Sequence, residues 1–95
     1  MIVTVQVTSE DIAHGLSGNC DRCPVALAIR RLLLPGIFVR AGTWFFALHR
    51  GSDVSQYNQM LPGQAVDFIT AFDSGKTPEP FEFQIDIPAR FLRSE

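Results

Sequence analysis

The stretch Asn19-Cys20-Asp21-Arg22-Cys23-Pro24-Val25-Ala26-Leu27-Ala28-Ile29-Arg30-Arg31 decides how the first half of this chain folds. Pro24 fits the first turn of a helix, where its missing N–H costs nothing, and Asp21 or Cys23 is placed to cap that helix. An apolar stripe then recurs at helical spacing until a Pro-Gly pair stops it, and its members are Val25, Ile29, Leu32 and Leu33. The pattern predicts a helix over Pro24–Leu34.

The segments on either side of this helix alternate between apolar and polar side chains, as half-buried strands do. Val3–Thr8 and Phe81–Ile87 show the alternation most clearly. Ile37–Arg40 and Thr43–Leu48 flank a central Ala-Gly pair and predict a hairpin, and Ser55–Met60 predicts a short edge strand.

Two further segments are predicted to be helical. Ser9 is placed to cap a short turn that runs to Gly15, and Gln64–Asp73 repeats apolar residues at helical spacing. The order of elements predicts a small α+β fold, with a mixed or antiparallel sheet of about four strands and the two main helices packed on one face. The predicted core is Val5, Val25, Ile29, Leu32, Phe68, Ile69, Phe72, Phe83 and Ile85.

Length and composition bound the class of protein. A chain of 95 residues fits one domain, 1–95, and 46% apolar residues argue against disorder. A formal charge of −2 gives no electrostatic reason to expect binding to nucleic acid or to an anionic membrane. No signal peptide or membrane-spanning run is predicted, so the expected location is the cytoplasm.

The only two cysteines, Cys20 and Cys23, form a C-x-x-C pair at the start of the main helix. The helix dipole favours a thiolate there, so redox chemistry is one interpretation. The other is that Cys23 packs as a small buried apolar residue and Cys20 lies in a loop. A zinc site from His14, Cys20, Cys23 and His49 is a third possibility, although zinc-finger histidines usually come as a close pair. We expect no metal and no cofactor.

The main helix also carries a second apolar stripe. Helical angles place Leu27 and Leu34 opposite the core stripe, between Arg30 and Arg31. Leucines bracketed by arginines suit a protein-binding face, but a helix that is apolar nearly all round is usually buried. The strand around Trp44 is apolar on both sides, which fits either a central strand or a second contact surface.

Three blocks of this sequence carry a resemblance to a known group of proteins. They are Val7-Thr8-Ser9-Glu10-Asp11-Ile12, then Asn19–Ala28, and Phe68-Ile69 with Phe72-Asp73, Gly75 and Pro80-Phe81-Glu82-Phe83. Together they resemble small accessory proteins of bacteriophages and prophages, a group with no established activity, and Ile37–Gln59 matches least. The resemblance implies a role in the host cytoplasm through binding a host or phage macromolecule.

Two hypotheses of function follow from the sequence. The first is a non-enzymatic module that binds a protein partner, or a second copy of itself, through Leu27, Arg30, Arg31 and Leu34 or through the hairpin at Trp44. The alternative is a redox or zinc-dependent site at Cys20 and Cys23.

Overall fold

Two antiparallel sheets and three helices form the fold in the computed structural model, which describes residues 1–51 and 57–93. The strands are β1 (Ile2–Val7), β2 (Ile37–Ala41), β3 (Phe45–Arg50), β4 (Tyr57–Met60) and β5 (Phe81–Asp86), and the helices are α1 (Ser9–His14), α2 (Pro24–Arg30) and α3 (Gly63–Asp73). The predicted single α+β domain is confirmed. The strands divide into two sheets, however, and the short helical turn predicted between Ser9 and Gly15 is present as α1. No helix within the described ranges is long and apolar enough to cross a membrane.

The first and last strands pair to form the two-stranded sheet. Their register places Val5 opposite Phe83 and Val3 opposite Ile85, so that the apolar members of both strands share one face. That face is packed into the core, with Val5 and Phe83 almost fully buried. The alternation along these two segments therefore predicted both the strands and the face that each one buries.

The three-stranded sheet has the order β2-β3-β4 and is antiparallel throughout. The predicted hairpin is β2 and β3, although β3 begins at Phe45 instead of Thr43 and continues to Arg50. The predicted edge strand is present as β4 over Tyr57–Met60, while residues 55 and 56 lie outside the described residues.

The main helix is shorter than predicted, because α2 ends at Arg30 and not at Leu34. The chain beyond it is held by the C-terminal segment: Leu33 forms an isolated β-bridge with Leu92, and the Leu34 N–H donates to the Phe91 carbonyl at 2.9 Å. The apolar periodicity over 24–34 continues across the helix end because the core-facing residues after it, Leu33 above all, remain buried without being helical.

A single core lies between the sheets and helices. Seven of the nine predicted core residues are buried, and Leu32 and Phe72 are half-buried against the same core. Two fully buried aromatic residues that were not predicted, Phe46 and Phe91, complete it. Phe91 belongs to a short 3-10 turn at Ala89–Phe91.

Candidate functional site

The most unusual surface of this protein is the side of the three-stranded sheet that faces away from the core. Strand alternation and register arrange its side chains in three rows, each crossing the sheet. The rows are Phe45 with Met60, then Arg40 with Ala47 and Asn58, and then Phe38 with His49. We call these seven residues the aromatic face.

Large apolar side chains on and beside this face are open to solvent. Phe38 and Phe45 are 47% and 48% exposed, and Met60 is 69% exposed. Trp44, in the turn before β3, is 67% exposed. Side chains of this size present roughly 150–250 Å² each, so these four leave on the order of 400–500 Å² of apolar surface in water. The summed area is comparable with the largest apolar patch on a typical monomer, and surfaces of that size are often functional.

A groove of about 430 Å³ runs across the middle of the aromatic face. Ala47 forms its floor, because its side chain is short, while Phe45 and His49 stand on either side and Arg40 lies at one end. Gly42 allows the Phe45 ring to lie close to the backbone: a β-carbon at Gly42 would come within 3.2 Å of that ring. The groove is therefore shaped by the contrast between one small residue and its large neighbours.

Side-chain contacts hold Phe38 and Arg40, the two residues that β2 contributes to the face. The rings of Phe38 and His49 are stacked with centroids 5.5 Å apart, and Nδ1 of His49 lies 3.0 Å from the Gly51 carbonyl oxygen. In the middle row, Nε of Arg40 lies 3.3 Å from Oδ1 of Asp21. Both members of this ion pair are largely exposed, so it contributes little to stability and remains able to exchange partners.

Only part of the helix face predicted from Leu27, Arg30, Arg31 and Leu34 is present in the structure. Leu27 is half-buried and Arg30 is exposed on α2, and together with Arg31 they line a shallow depression. Leu34 lies beyond the end of the helix and is held against the C-terminal segment, so the predicted Leu27–Leu34 stripe does not exist as a helical surface. This part of the prediction is wrong because the helix ends four residues early.

The Arg31 side chain has a structural role, because its guanidinium binds other parts of the chain. Its guanidinium donates two hydrogen bonds to the Asp11 carboxylate, at 3.0 and 2.8 Å, and a third to the Gln6 carbonyl at 2.9 Å. Asp11 is 5% exposed and also accepts from the backbone N–H of Thr8, which caps α1 in place of the predicted Ser9. Burial acts to raise the pKa of Asp11, but the hydrogen bonds from Arg31 and Thr8 outweigh burial, so the pKa lies below its ordinary value.

The two cysteines have different environments. Cys23 is buried as predicted and is the N-cap of α2, where its Sγ accepts from the Ala26 N–H at 3.4 Å. Burial raises the pKa of the Cys23 thiol, although the hydrogen bond from Ala26 opposes this effect. Cys20 is exposed and is also a free thiol. Both line a small cavity of about 70 Å³.

The residues of the zinc hypothesis are not brought together as a ligand set. His14 ends α1, whereas His49 belongs to the aromatic face. Across residues 1–51 and 57–93, no group of three or more His, Cys, Asp or Glu side chains is arranged to hold a metal ion.

Sequence reasoning identified Trp44, which lies beside the aromatic face, but did not identify the face itself. The apolar residues on both sides of the Thr43–Leu48 segment were a correct signal, since Phe46 is buried on one side and Phe45 is exposed on the other. Phe38 and Met60 gave a similar signal, because each stands at a position where strand alternation calls for a polar residue.

No family model matches this chain, and no curated protein or solved structure shows significant similarity to it. The site is therefore interpreted from its own geometry.

Proposed function

We propose that this protein is a non-enzymatic binding module that contacts a protein partner through the aromatic face. The observation that carries the proposal is the exposure of Phe38, Phe45 and Met60 on one side of a sheet whose other side already supplies the core. Aromatic residues, Met and Arg are the residue types enriched where proteins bind proteins, and this face combines all three.

The composition of the face favours a protein over a nucleic acid. Arg40 is the only Lys or Arg among its seven residues, and it is already paired with Asp21. Nucleic-acid surfaces need several cations to neutralise phosphates, whereas this groove has an apolar floor and one aromatic wall at Phe45.

The thiol alternative has less physical support. Redox and nucleophilic cysteines work as thiolates, which need a lowered pKa and access to solvent. Cys23 is buried and its pKa is raised, so capping α2 and packing account for its position. Cys20 is exposed and lines the groove that His49 also lines, but exposure alone does not make a thiol reactive.

A photo-reactive residue on the face tests the proposal. Placing p-benzoylphenylalanine at position 45 in the full chain, expressed in cells, should give a covalent adduct of defined mass. The matched control is position 2, because Ile2 is equally apolar and 63% exposed but lies on β1. The position-45 adduct should disappear when Met60→Glu is added beside it and persist when Gln84→Glu is added on β5.

Equal adducts from positions 2 and 45, or no adduct from position 45, would contradict the proposal.

The phage setting implied by the sequence resemblance is also part of the proposal. The partner sought is a host or phage protein, or a second copy of this chain, in the cytoplasm.

A further inference from the structure

We propose that the occupant of the aromatic face is a second copy of this chain, packed sheet against sheet about a two-fold axis. The inference rests on the proposed function, because it names the partner for the same face. A two-fold interface requires one surface to be complementary to itself, since each residue meets its counterpart's neighbours in the other copy.

The shape of the face meets this requirement. Each copy carries both large exposed side chains, Phe45 with Met60 beside it, and a recess, the groove over Ala47. Two antiparallel sheets pack face to face when the side chains of one fill the spaces of the other, at a separation of about 10 Å. A large residue and a small residue side by side on β3 allow such interdigitation between identical surfaces.

The charges at the edge of the face are also self-complementary. Asp21 and Arg40 lie side by side there and both are largely exposed. In a two-fold pair, Arg40 of one copy can meet Asp21 of the other, so the edge needs no different partner to supply an opposite charge. A face lined with charges of one sign would repel its own copy. This face carries both signs, at Asp21 and Arg40, and so avoids that repulsion.

The area of the face is sufficient for a stable pair. The apolar side chains supply roughly half of the ~800 Å² per partner that specific interfaces bury. The exposed parts of Arg40, His49 and Asp21 around them make up a polar rim, which is the usual anatomy of an interface.

Sedimentation equilibrium of the purified full chain tests the inference directly. The wild-type protein should reach about twice its monomer mass of 10.6 kDa within a concentration range of about 10 nM to about 100 µM, because interfaces of this size have dissociation constants of about 1 µM or lower. Phe45→Glu and the groove-filling Ala47→Leu should each raise the dimer dissociation constant at least tenfold. Ile2→Glu is the matched control and should leave it unchanged.

Mixing two variants of opposite charge distinguishes a lost interface from a variant that has only unfolded. Asp21→Arg and Arg40→Asp should each weaken self-association, because each gives an edge of a single sign. Mixing these two variants should restore a dimer that contains one copy of each. An intramolecular role alone for the Asp21–Arg40 pair predicts no such recovery, and absence of recovery would contradict the two-fold arrangement.

The outcomes separate this inference from the proposed function. A chain that stays monomeric throughout the concentration range, but forms a position-45 adduct whose mass is not twice its own, would overturn the second copy and keep the binding module. A monomeric chain with no adduct at position 45 would overturn both.

Discussion

The two sheets of this protein bury similar inner faces and present very different outer faces. On the β1–β5 sheet the outward residues after Ile2 are polar: Thr4, Gln6, Glu82, Gln84 and Asp86. On the three-stranded sheet the outward residues include Phe38, Phe45 and Met60. The first sheet has the alternation of a strand that separates core from water, and the second has apolar residues on both sides.

The contrast between the two sheets indicates which apolar residues the fold requires. Phe46 and Phe83 each lie on the inner face of a sheet and are almost fully buried, so both serve the same core. Phe45 adds nothing comparable to that core, yet it is a large apolar residue kept at a solvent-facing position. The proposed binding role gives this exposed ring a purpose that the core does not require of it.

The largest predicted effect compares the two sides of β3. Phe46→Ala removes a fully buried ring and should lower the free energy of unfolding by about 3–5 kcal/mol, as large-to-small core substitutions do. Phe45→Ala should lower it by less than about 1 kcal/mol, because the ring is already half in water. Urea unfolding below the association range measures both, and similar losses would abolish the distinction between the faces.

The next largest effect is expected at Asp11, which we call the polar anchor because its carboxylate binds Arg31 and the Thr8 N–H. Asp11→Ala removes the ion pair with Arg31 and the reciprocal cap with Thr8, and should cost about 2–3 kcal/mol of unfolding free energy. A loss below about 0.5 kcal/mol would show that the anchor is not stabilising. Thermal or urea unfolding at pH 7 is the measurement.

The same anchor predicts a pH dependence. Because the folded-state pKa of Asp11 is lowered, its contribution is complete above the unfolded-state pKa of about 3.9 and is lost as pH falls through the folded-state value. The stability difference between wild type and Asp11→Asn should therefore shrink as pH falls below about 4. A difference that grows on acidification would reverse the assigned sign.

A smaller effect is expected at the cap of α2. Cys23→Ala removes the acceptor for the Ala26 N–H and should cost about 1–2 kcal/mol, whereas Cys23→Ser keeps an oxygen acceptor there and should cost less. In the wild-type protein a thiol reagent should modify Cys20 rapidly and Cys23 slowly. Rapid labelling of Cys23 together with no loss of stability in Cys23→Ala would contradict its buried capping role.

The smallest effect is expected on the outer face of the two-stranded sheet. Ile2→Glu should change the free energy of unfolding by no more than about 0.5 kcal/mol, because the side chain is mostly in water. A large loss would mean that this outer face also has a packing role.

Local patterns predicted much of this molecule. The alternation of Val5 with its neighbours and the helical spacing of Val25 and Ile29 identified elements whose inner faces are buried as expected, and Pro24 marked the start of α2. These features depend on periodicity, which the chain carries within a few residues.

The errors have a different physical origin. The end of α2 and the burial of Phe91 depend on the Leu33–Leu92 bridge, a contact between residues far apart in the chain. The aromatic face depends on which side of the second sheet meets the core. Periodicity shows that a strand such as β3 has two apolar sides, but only tertiary packing decides which of them, Phe45 or Phe46, is left outside.

The two methionines provide the most direct measurement of the central claim, that the aromatic face is covered when the protein works. Met60 lies on that face and Met1 precedes β1, and they are 69% and 67% exposed, so in an isolated chain hydrogen peroxide should oxidise both at similar rates. If the face is covered, Met60 becomes several-fold slower to oxidise than Met1 in concentrated protein or in expressing cells, and dilution of the purified chain removes the difference. Equal oxidation rates under all of these conditions would contradict the central claim.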